Sequence, residues 1–416
     1  MAQTDQYYNF VEPEKVIEAG KGKHLIKSRV GYLTAGVLPI PRSKRGQGGN
    51  TLVLLAQDTP MGFGETVPIE AFDVERFWKL EEVGTVDKRS TQEVEDDCAK
   101  KQFDKTVQFE NGRYQVAWPW KEENPDLPDN YQLALGRLES TWKRLKQDAQ
   151  LLKSYDEIIQ GQLEKGVIEE APKRPTGKVY YLPHHAVITP LKTTTKIRIV
   201  NDASSKKDKH SNSLNDCLLR GQVMIDDLCG NLLRFRANKI ALVSDIEKAF
   251  LQVGLQDDQR DVGRFLWLRN IEQPPSRENL IVFRFTRVFF GAVSSPFLLG
   301  ATIDHHLKQQ TSAVAEKIRT NIYVDNVITG EENVEKATAH YHEAKELFLG
   351  AAMNLREFFT NSKEVGEKFA PEDCGKGLET KVLGLTWNCQ DDTLACCGIK
   401  EVEYTGQSDK NNGTLS

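Results

Sequence analysis

Two apolar runs in this chain carry an aspartate where a strand would be buried. Asp245 closes IALVSD, and Asp325 sits inside NIYVDNVI, 80 positions later. A lone carboxylate at the end of a buried strand costs several kcal/mol unless something neutralises it. Any fold for this sequence must therefore bring a counter-charge to both places. A divalent cation is the simplest one: two magnesium ions held by carboxylates from neighbouring strands, about 3.5–4 Å apart, suit phosphoryl transfer. The competing reading is two ordinary turn aspartates.

The pattern around them is mixed. Gln132 to Glu170 repeats Leu133, Leu138, Trp142, Leu145, Leu152, Tyr155, Ile159, Leu163 and Val167 at helical spacing, which predicts one or two long amphipathic helices closed by Pro172 and Pro175. From Val179 onward the runs become short and β-branched. YYLPHHAVITPL and KIRIVND read as a strand pair around a Lys/Thr turn, Ala241 to Asp245 as a buried strand, and IEKAFLQVGL as a helix straight after it. Strands are expected at Val262 to Leu268 and Leu280 to Val288, a helix at Ser295 to Gln309, a hairpin at Arg319 to Gly330, and a helix at Asn333 to Leu349. Strand, helix, two strands, helix, strand is the order of a split βαβ, ferredoxin-like sheet, in which antiparallel neighbours would bring Asp245 and Asp325 together. Upstream, short strands are expected at Val30 to Ala35, Thr51 to Leu55 and Gly112 to Trp118, and an amphipathic turn at Val74 to Glu82.

Charge is segregated. The 55 Lys and Arg against 60 Asp and Glu give a net −5, which excludes an overtly basic, nucleic-acid-coating protein. Yet Glu81 to Glu170 holds 20 acidic against 13 basic residues, while Ala171 to Arg220 holds 10 basic against 3 acidic. A basic stripe of that kind suits a phosphate backbone or a triphosphate, with a merely solvated basic loop as the plain alternative. The 7 cysteines are scattered and odd in number, so reduced thiols are expected in place of a disulfide framework. No C-x-x-C pair or suitably spaced histidine points to zinc. With no apolar run near ~18 residues and no targeting pattern at the start, no membrane partner is expected, and the location would be intracellular.

Four motifs then stand in order: SDIEKAF (Ser244 to Phe250), FFGAVSSPF (Phe289 to Phe297), YVDN (Tyr323 to Asn326) and VLGLTW (Val382 to Trp387). In order and rough spacing they resemble motifs A, B, C and E of reverse transcriptases, preceded by the fingers-like KIRIVNDAS. Together with VERFWKLEE and GRYQVAWPWK, residues of about 70 to 390 resemble the reverse transcriptase region of a BEL/Pao-type long-terminal-repeat retrotransposon Pol polyprotein. The amino-terminal GYLTAG is similar to the stretch after that family's aspartic protease, although the chain holds no D-T-G or D-S-G triplet.

The resemblance implies an α+β right-hand polymerase, fingers and palm, with a split βαβ palm, and two Mg²⁺ or Mn²⁺ ions. Asp245 and Asp325 match the metal carboxylates, with the Ile246 carbonyl as a further ligand. Phe250 matches an aromatic gate against the sugar 2′-hydroxyl. Gly291, Ser295 and Pro296 match motif B, near the incoming base and template. Arg198 matches the fingers arginine on the triphosphate, with Lys192 or Lys196 as its partner, and Arg356 a motif D cation. Tyr323 would stack near the primer end, and Leu383 and Gly384 lie in the primer grip. The implied partners are an RNA or DNA template, a DNA primer and dNTPs, in a cytoplasmic particle or the nucleus.

Two departures separate the activity readings. Asn326 replaces the second aspartate of motif C, and Phe290 stands where retroviral enzymes carry glutamine. No ribonuclease H or integrase pattern follows, and little chain is left for a thumb. The readings are thus an RNA-directed DNA polymerase, or a degenerate or co-opted fragment that binds nucleic acid or protein without catalysis. The expected organisation is an extension at 1–75, a loop-rich and helical connector at 76–175, the fingers and palm at 176–390, and a polar, disordered tail at 391–416.

Overall fold

A computed structural model describes residues 11–18, 23–28, 31–36, 90–188, 197–224 and 227–396. The strand expected at Thr51 to Leu55, the turn at Val74 to Glu82, Lys192, Lys196 and the segment 397–416 lie outside the described residues. The chain divides into two compact units, Met1–Lys88 and Arg89–Ser416. In the first, β1 (Val11–Glu18), β2 (Lys23–Ser28) and β3 (Gly31–Gly36) form an antiparallel sheet in sequence order.

The second unit is a mixed α+β fold of small sheets. It opens with α1 (Thr91–Thr106), set by a capping box between Ser90 and Glu93. Then come β4 (Gln108–Glu110), β5 (Arg113–Val116), α2 (Tyr131–Leu145), α3 (Ala149–Glu164), β6 (Ile168–Glu170), β7 (His184–Ile188) and β8 (Ile197–Asn201). The helical periodicity of Gln132 to Glu170 thus resolves into two helices and a short strand. Next are α4 (Leu214–Cys217), α5 (Leu228–Ala237), β9 (Ile240–Ile246), β10 (Gly254–Leu255), β11 (Arg264–Leu268) and β12 (Leu280–Phe285). The last third holds α6 (Ser295–Lys308), α7 (Ala313–Arg319), β13 (Ile322–Tyr323), β14 (Asn326–Glu331), α8 (Val334–Gly350), β15 (Leu355–Thr360), α9 (Lys363–Gly366), β16 (Glu379–Val382), β17 (Leu385–Asn388) and β18 (Thr393–Cys396). The strand β18 extends into the segment expected as tail.

The central sheet runs β13-β14-β9-β15, antiparallel throughout. In chain order this is strand, helices, hairpin, helix, strand, which is a split βαβ arrangement. Its members differ from those expected. β11 and β12 pair with β6 in a separate sheet, and the fourth strand is β15, whose LREFFT lacks a clean strand alternation. The helix expected after Asp245 is one 3₁₀ turn, Ala249–Gln252, because Lys248 takes a left-handed φ of 48° and the chain returns to extended form at β10.

Alternation along β9 gives the sheet two buried faces. Ile240, Leu242 and Ile246 enter a core shared with α1, α2, α3, α6 and α8, whereas Ala241 and Val243 pack with Phe235, Ile328, Phe359, Val382 and Trp387. Asp245 continues the second face, at the end where its apolar cover stops.

A buried ion cluster ties β6, β11 and β12 together. Arg264 and Arg284 are directly opposed across β11–β12. Between them lies Asp261, fully buried, 2.8 Å from Arg264 and 3.4 Å from Arg284, with the Thr176 amide donating to its other oxygen at 2.8 Å. Arg284 reaches Glu169 (2.8 Å) and Asp257 (2.6 Å) as well. Burial pushes the Asp261 carboxyl up, but the Thr176 amide and the Arg264 and Arg284 guanidiniums outweigh it and hold it below the usual range. Among the described residues no helix is long and apolar enough to cross a membrane.

Candidate functional site

The site assembles at one end of the central sheet through strand register. Asp245 is paired with Asn326 on one side and with Arg356 on the other. Paired residues of antiparallel strands share a face, so an acid, an amide and a cation converge there. The β13–β14 hairpin turns through Val324 and Asp325, and the Ile246 amide donates to the Asp325 carbonyl at 2.8 Å, locking the tip against β9. Val324 holds φ 58°, a position that favours glycine and is strained for a β-branched residue.

Electrostatics at this end are unbalanced. Burial and the neighbouring Asp325 carboxylate push Asp245 up to about 7. Burial also raises Asp325, against a hydrogen bond from Asn326 Nδ2 to its Oδ1 at 2.8 Å. Arg356 is a shared cation: its Nε is 4.0 Å from Asp245, and its NH1 is 3.5 Å from Glu247. That Nε is buried and makes no hydrogen bond among the described residues. Glu357, on the bulge that follows with φ 51°, adds another negative charge to the field on Asp245.

Magnesium usually takes one or two protein carboxylates and fills its remaining positions with water and substrate phosphates. Asp245 and Asp325, both raised by burial, fit that role. Among the described residues no group of three or more His, Cys, Asp or Glu side chains is placed to hold a metal without such help.

The loop after β12 meets the 3₁₀ turn that follows β9. Phe250 meets Phe290 edge to face at 4.7 Å, and Phe290 is 52% exposed. Gly291 takes φ 107°, and a Cβ there would stand 2.5 Å from the Asn201 carbonyl at the end of β8. Asn215 fixes the same loop, donating to the Gly291 carbonyl (3.0 Å) and accepting from the Val293 amide (2.8 Å). In the sequence its signal is limited to the capping-box spacing of Ser213 and Asp216 beside it. Gly291→Ala should destabilise the protein by at least about 2 kcal/mol through contact and backbone strain, which denaturant unfolding would measure.

The other candidates are placed as follows. The Ser295 hydroxyl is buried and donates to the Phe289 carbonyl at 2.7 Å, so it shapes the loop, while Pro296 is exposed. Pro296 and Val324 line a cavity of about 590 Å³ together with Arg220 to Met224. Tyr323 and Leu383 pack against the same cluster around Trp387, which brings the β16–β17 hairpin to the site. That hairpin turns through Leu383 (φ 51°) and Gly384 (φ 87°). Arg198 is exposed on β8 and makes no hydrogen bond or ion pair among the described residues.

No protein-family model matches the sequence, nor does any curated protein. Among solved structures the chain is similar to a foamy viral protease-reverse transcriptase in complex with double-stranded DNA, at 18% identity and a TM-score of 0.36 over 56% of this chain. A second structure of the foamy viral protein with double-stranded DNA, the form designated dRH, gives 17% identity and a TM-score of 0.35 over 56% of this chain. The chain spans 37% and 33% of the length of these two proteins.

Proposed function

We propose that this chain is the fingers and palm of a retrotransposon reverse transcriptase of BEL/Pao type. It would extend a DNA primer on an RNA or DNA template, in a cytoplasmic particle or the nucleus. The observation that carries the reading is the register that puts Asp245 opposite Asn326, with Asp325 on the adjoining hairpin tip. Two raised carboxylates at a sheet end suit nucleotidyl transfer.

Asp245, Asp325 and the Ile246 carbonyl would hold Mg²⁺ or Mn²⁺, which when bound lowers the pKa of the primer hydroxyl and stabilises charge on the transferring phosphate. Arg198, with Lys192 or Lys196, would hold the triphosphate through charge-assisted hydrogen bonds, and Arg356 would offset charge behind it. Phe250, braced by Phe290, would exclude a 2′-hydroxyl by contact. Tyr323, Leu383 and Gly384 would seat the primer, and Gly291, Ser295 and Pro296 the template side. The primer O3′ forms its bond to the α-phosphorus while pyrophosphate leaves.

A second reading rests on Asn326, which donates a hydrogen bond to Asp325 where an aspartate would add a charge. It makes the chain a binder of nucleic acid without catalysis. Primer extension separates the two. With poly(rA), an oligo(dT) primer, dTTP and Mg²⁺ or Mn²⁺, the purified chain should incorporate dTMP. Absence of incorporation with either metal, alongside salt-sensitive retention of primer-template, supports the second reading. A large gain from Asn326→Asp would identify the amide as limiting. Phe250→Ala should raise the use of ribonucleotides relative to deoxynucleotides by about 10–100-fold, since steric contact of this size is worth ~1–3 kcal/mol; competition kinetics with rUTP and dTTP would read it.

A further inference from the structure

Away from this end of the sheet, two arginines stand together without an ion pair among the described residues, although the exposed Glu110 of β4 is the register partner of Arg113. Arg113 and Gln115 are alternate residues of β5 and share its half-buried face. Gln115 pairs with Gly254 of β10, and Gly254 is bridged in turn to Arg287. An Arg287 NH1 lies 3.5 Å from where a Cβ on Gly254 would stand. Arg113 NH1 donates to the Gln252 carbonyl (2.5 Å) and to its side-chain oxygen (3.1 Å), both neutral acceptors. Arg287 makes no hydrogen bond or ion pair among the described residues. Burial, then repulsion from Arg113 and Arg260, brings its guanidinium down to about 10. Burial lowers Arg113 as well. Of the three, Arg260 is neutralised, by Glu169 at 3.2 Å and Asp257 at 3.7 Å.

Half-buried like charges with no acid in ion-pair contact are costly, and an anion removes the cost. The number of donors indicates which anion. Each guanidinium carries five N–H groups, and the two coplanar oxygens of a carboxylate offer a single side-on edge to a fork. A tetrahedral phosphate has oxygens for two forks.

We propose that Arg113 and Arg287, with Gln115 between them, form a phosphate-binding site on the β5–β10 surface. The site is separate from the proposed triphosphate contact at Arg198 and does not depend on polymerase activity. Its phosphate is either a free ion or one in a nucleic-acid backbone, and the two sources are separable.

Thermal melting of the full chain at constant ionic strength tests it with two probes, inorganic phosphate and a short DNA oligonucleotide lacking terminal phosphate. The wild-type midpoint should rise with at least one probe. The apparent affinity for that probe should fall at least about tenfold in Arg287→Gln and in Arg113→Gln, and stay unchanged in Arg137→Gln, at an exposed position of α2. Without a probe, Arg287→Gln should melt at or above the wild-type midpoint, because an uncompensated charge has been removed. A response confined to inorganic phosphate assigns a free ion, and one confined to the oligonucleotide assigns a strand backbone. Equal responses of wild type, Arg287→Gln and Arg113→Gln to both probes would overturn the site.

Discussion

Asp261→Asn is expected to lower the unfolding free energy by about 3–5 kcal/mol, and the melting temperature on the order of 5–15 °C. The cost comes from what remains. Arg264 and Arg284 are directly opposed across two strands and both are buried, so the amide strips Arg264 of its Asp261 ion pair and leaves the facing Arg284 with Glu169 and Asp257 alone among the described residues. Asp257→Asn is the control: Asp257 contacts the same Arg284 but its side chain is 54% exposed, and the loss there should stay below about 1 kcal/mol. Proton linkage gives an independent check. Asp261 titrates below its unfolded value in the fold, so its contribution is complete above about 4, the unfolded range, and fades as pH falls through the folded value. Acid unfolding of Asp261→Asn should therefore be shallower than that of wild type. Equal stability of the two proteins at pH 7 would refute the assigned role of the cluster.

Asp245→Asn should act in opposite directions on activity and stability. Removing one of the two carboxylates that would hold the metals costs several kcal/mol of transition-state stabilisation, so nucleotide incorporation should fall by at least about 10³-fold. Stability should rise. In metal-free protein Asp245 titrates near 7, well above its ordinary 3.8, so the fold binds this proton more tightly than the unfolded chain does. Stability then declines as pH rises between those two values, and stays low above them. Asparagine removes that decline. Melting in EDTA at pH 8 should show Asp245→Asn above wild type, and Mg²⁺ should raise the wild-type midpoint while leaving the variant nearly unmoved. A variant that loses stability along with activity would make Asp245 a structural residue.

The two aspartates were legible because charge inside an apolar run conflicts with burial, and a conflict is visible in one dimension. Leu133 to Val167 was legible for the complementary reason, since helical spacing is local. Pairing is not local. Nothing in RFLWL or LIVFRF shows that these strands join Ile168–Glu170 and leave the central sheet. LREFF conceals its strand behind charges, because Arg356 and Glu357 face the open end of the sheet and break the alternation. IEKAFLQVGL has helical spacing, yet Lys248 goes left-handed and ends the helix before it starts. Arg113 and Arg287 carry no signal at all, and Asn215 only the capping-box spacing beside it, since what distinguishes each is a neighbour far away in sequence.

One consequence of the strand order concerns synthesis. β9 lies in the middle of its sheet, and both of its neighbours are made later: β14 ends at Glu331 and β15 at Thr360. A ribosome-bound or truncated chain ending before Leu355 would leave one whole side of β9 without hydrogen-bond partners, an open template for another copy. The shortest product able to close this sheet therefore extends to about Thr360. Premature stops upstream of it should yield aggregates in place of a smaller soluble domain.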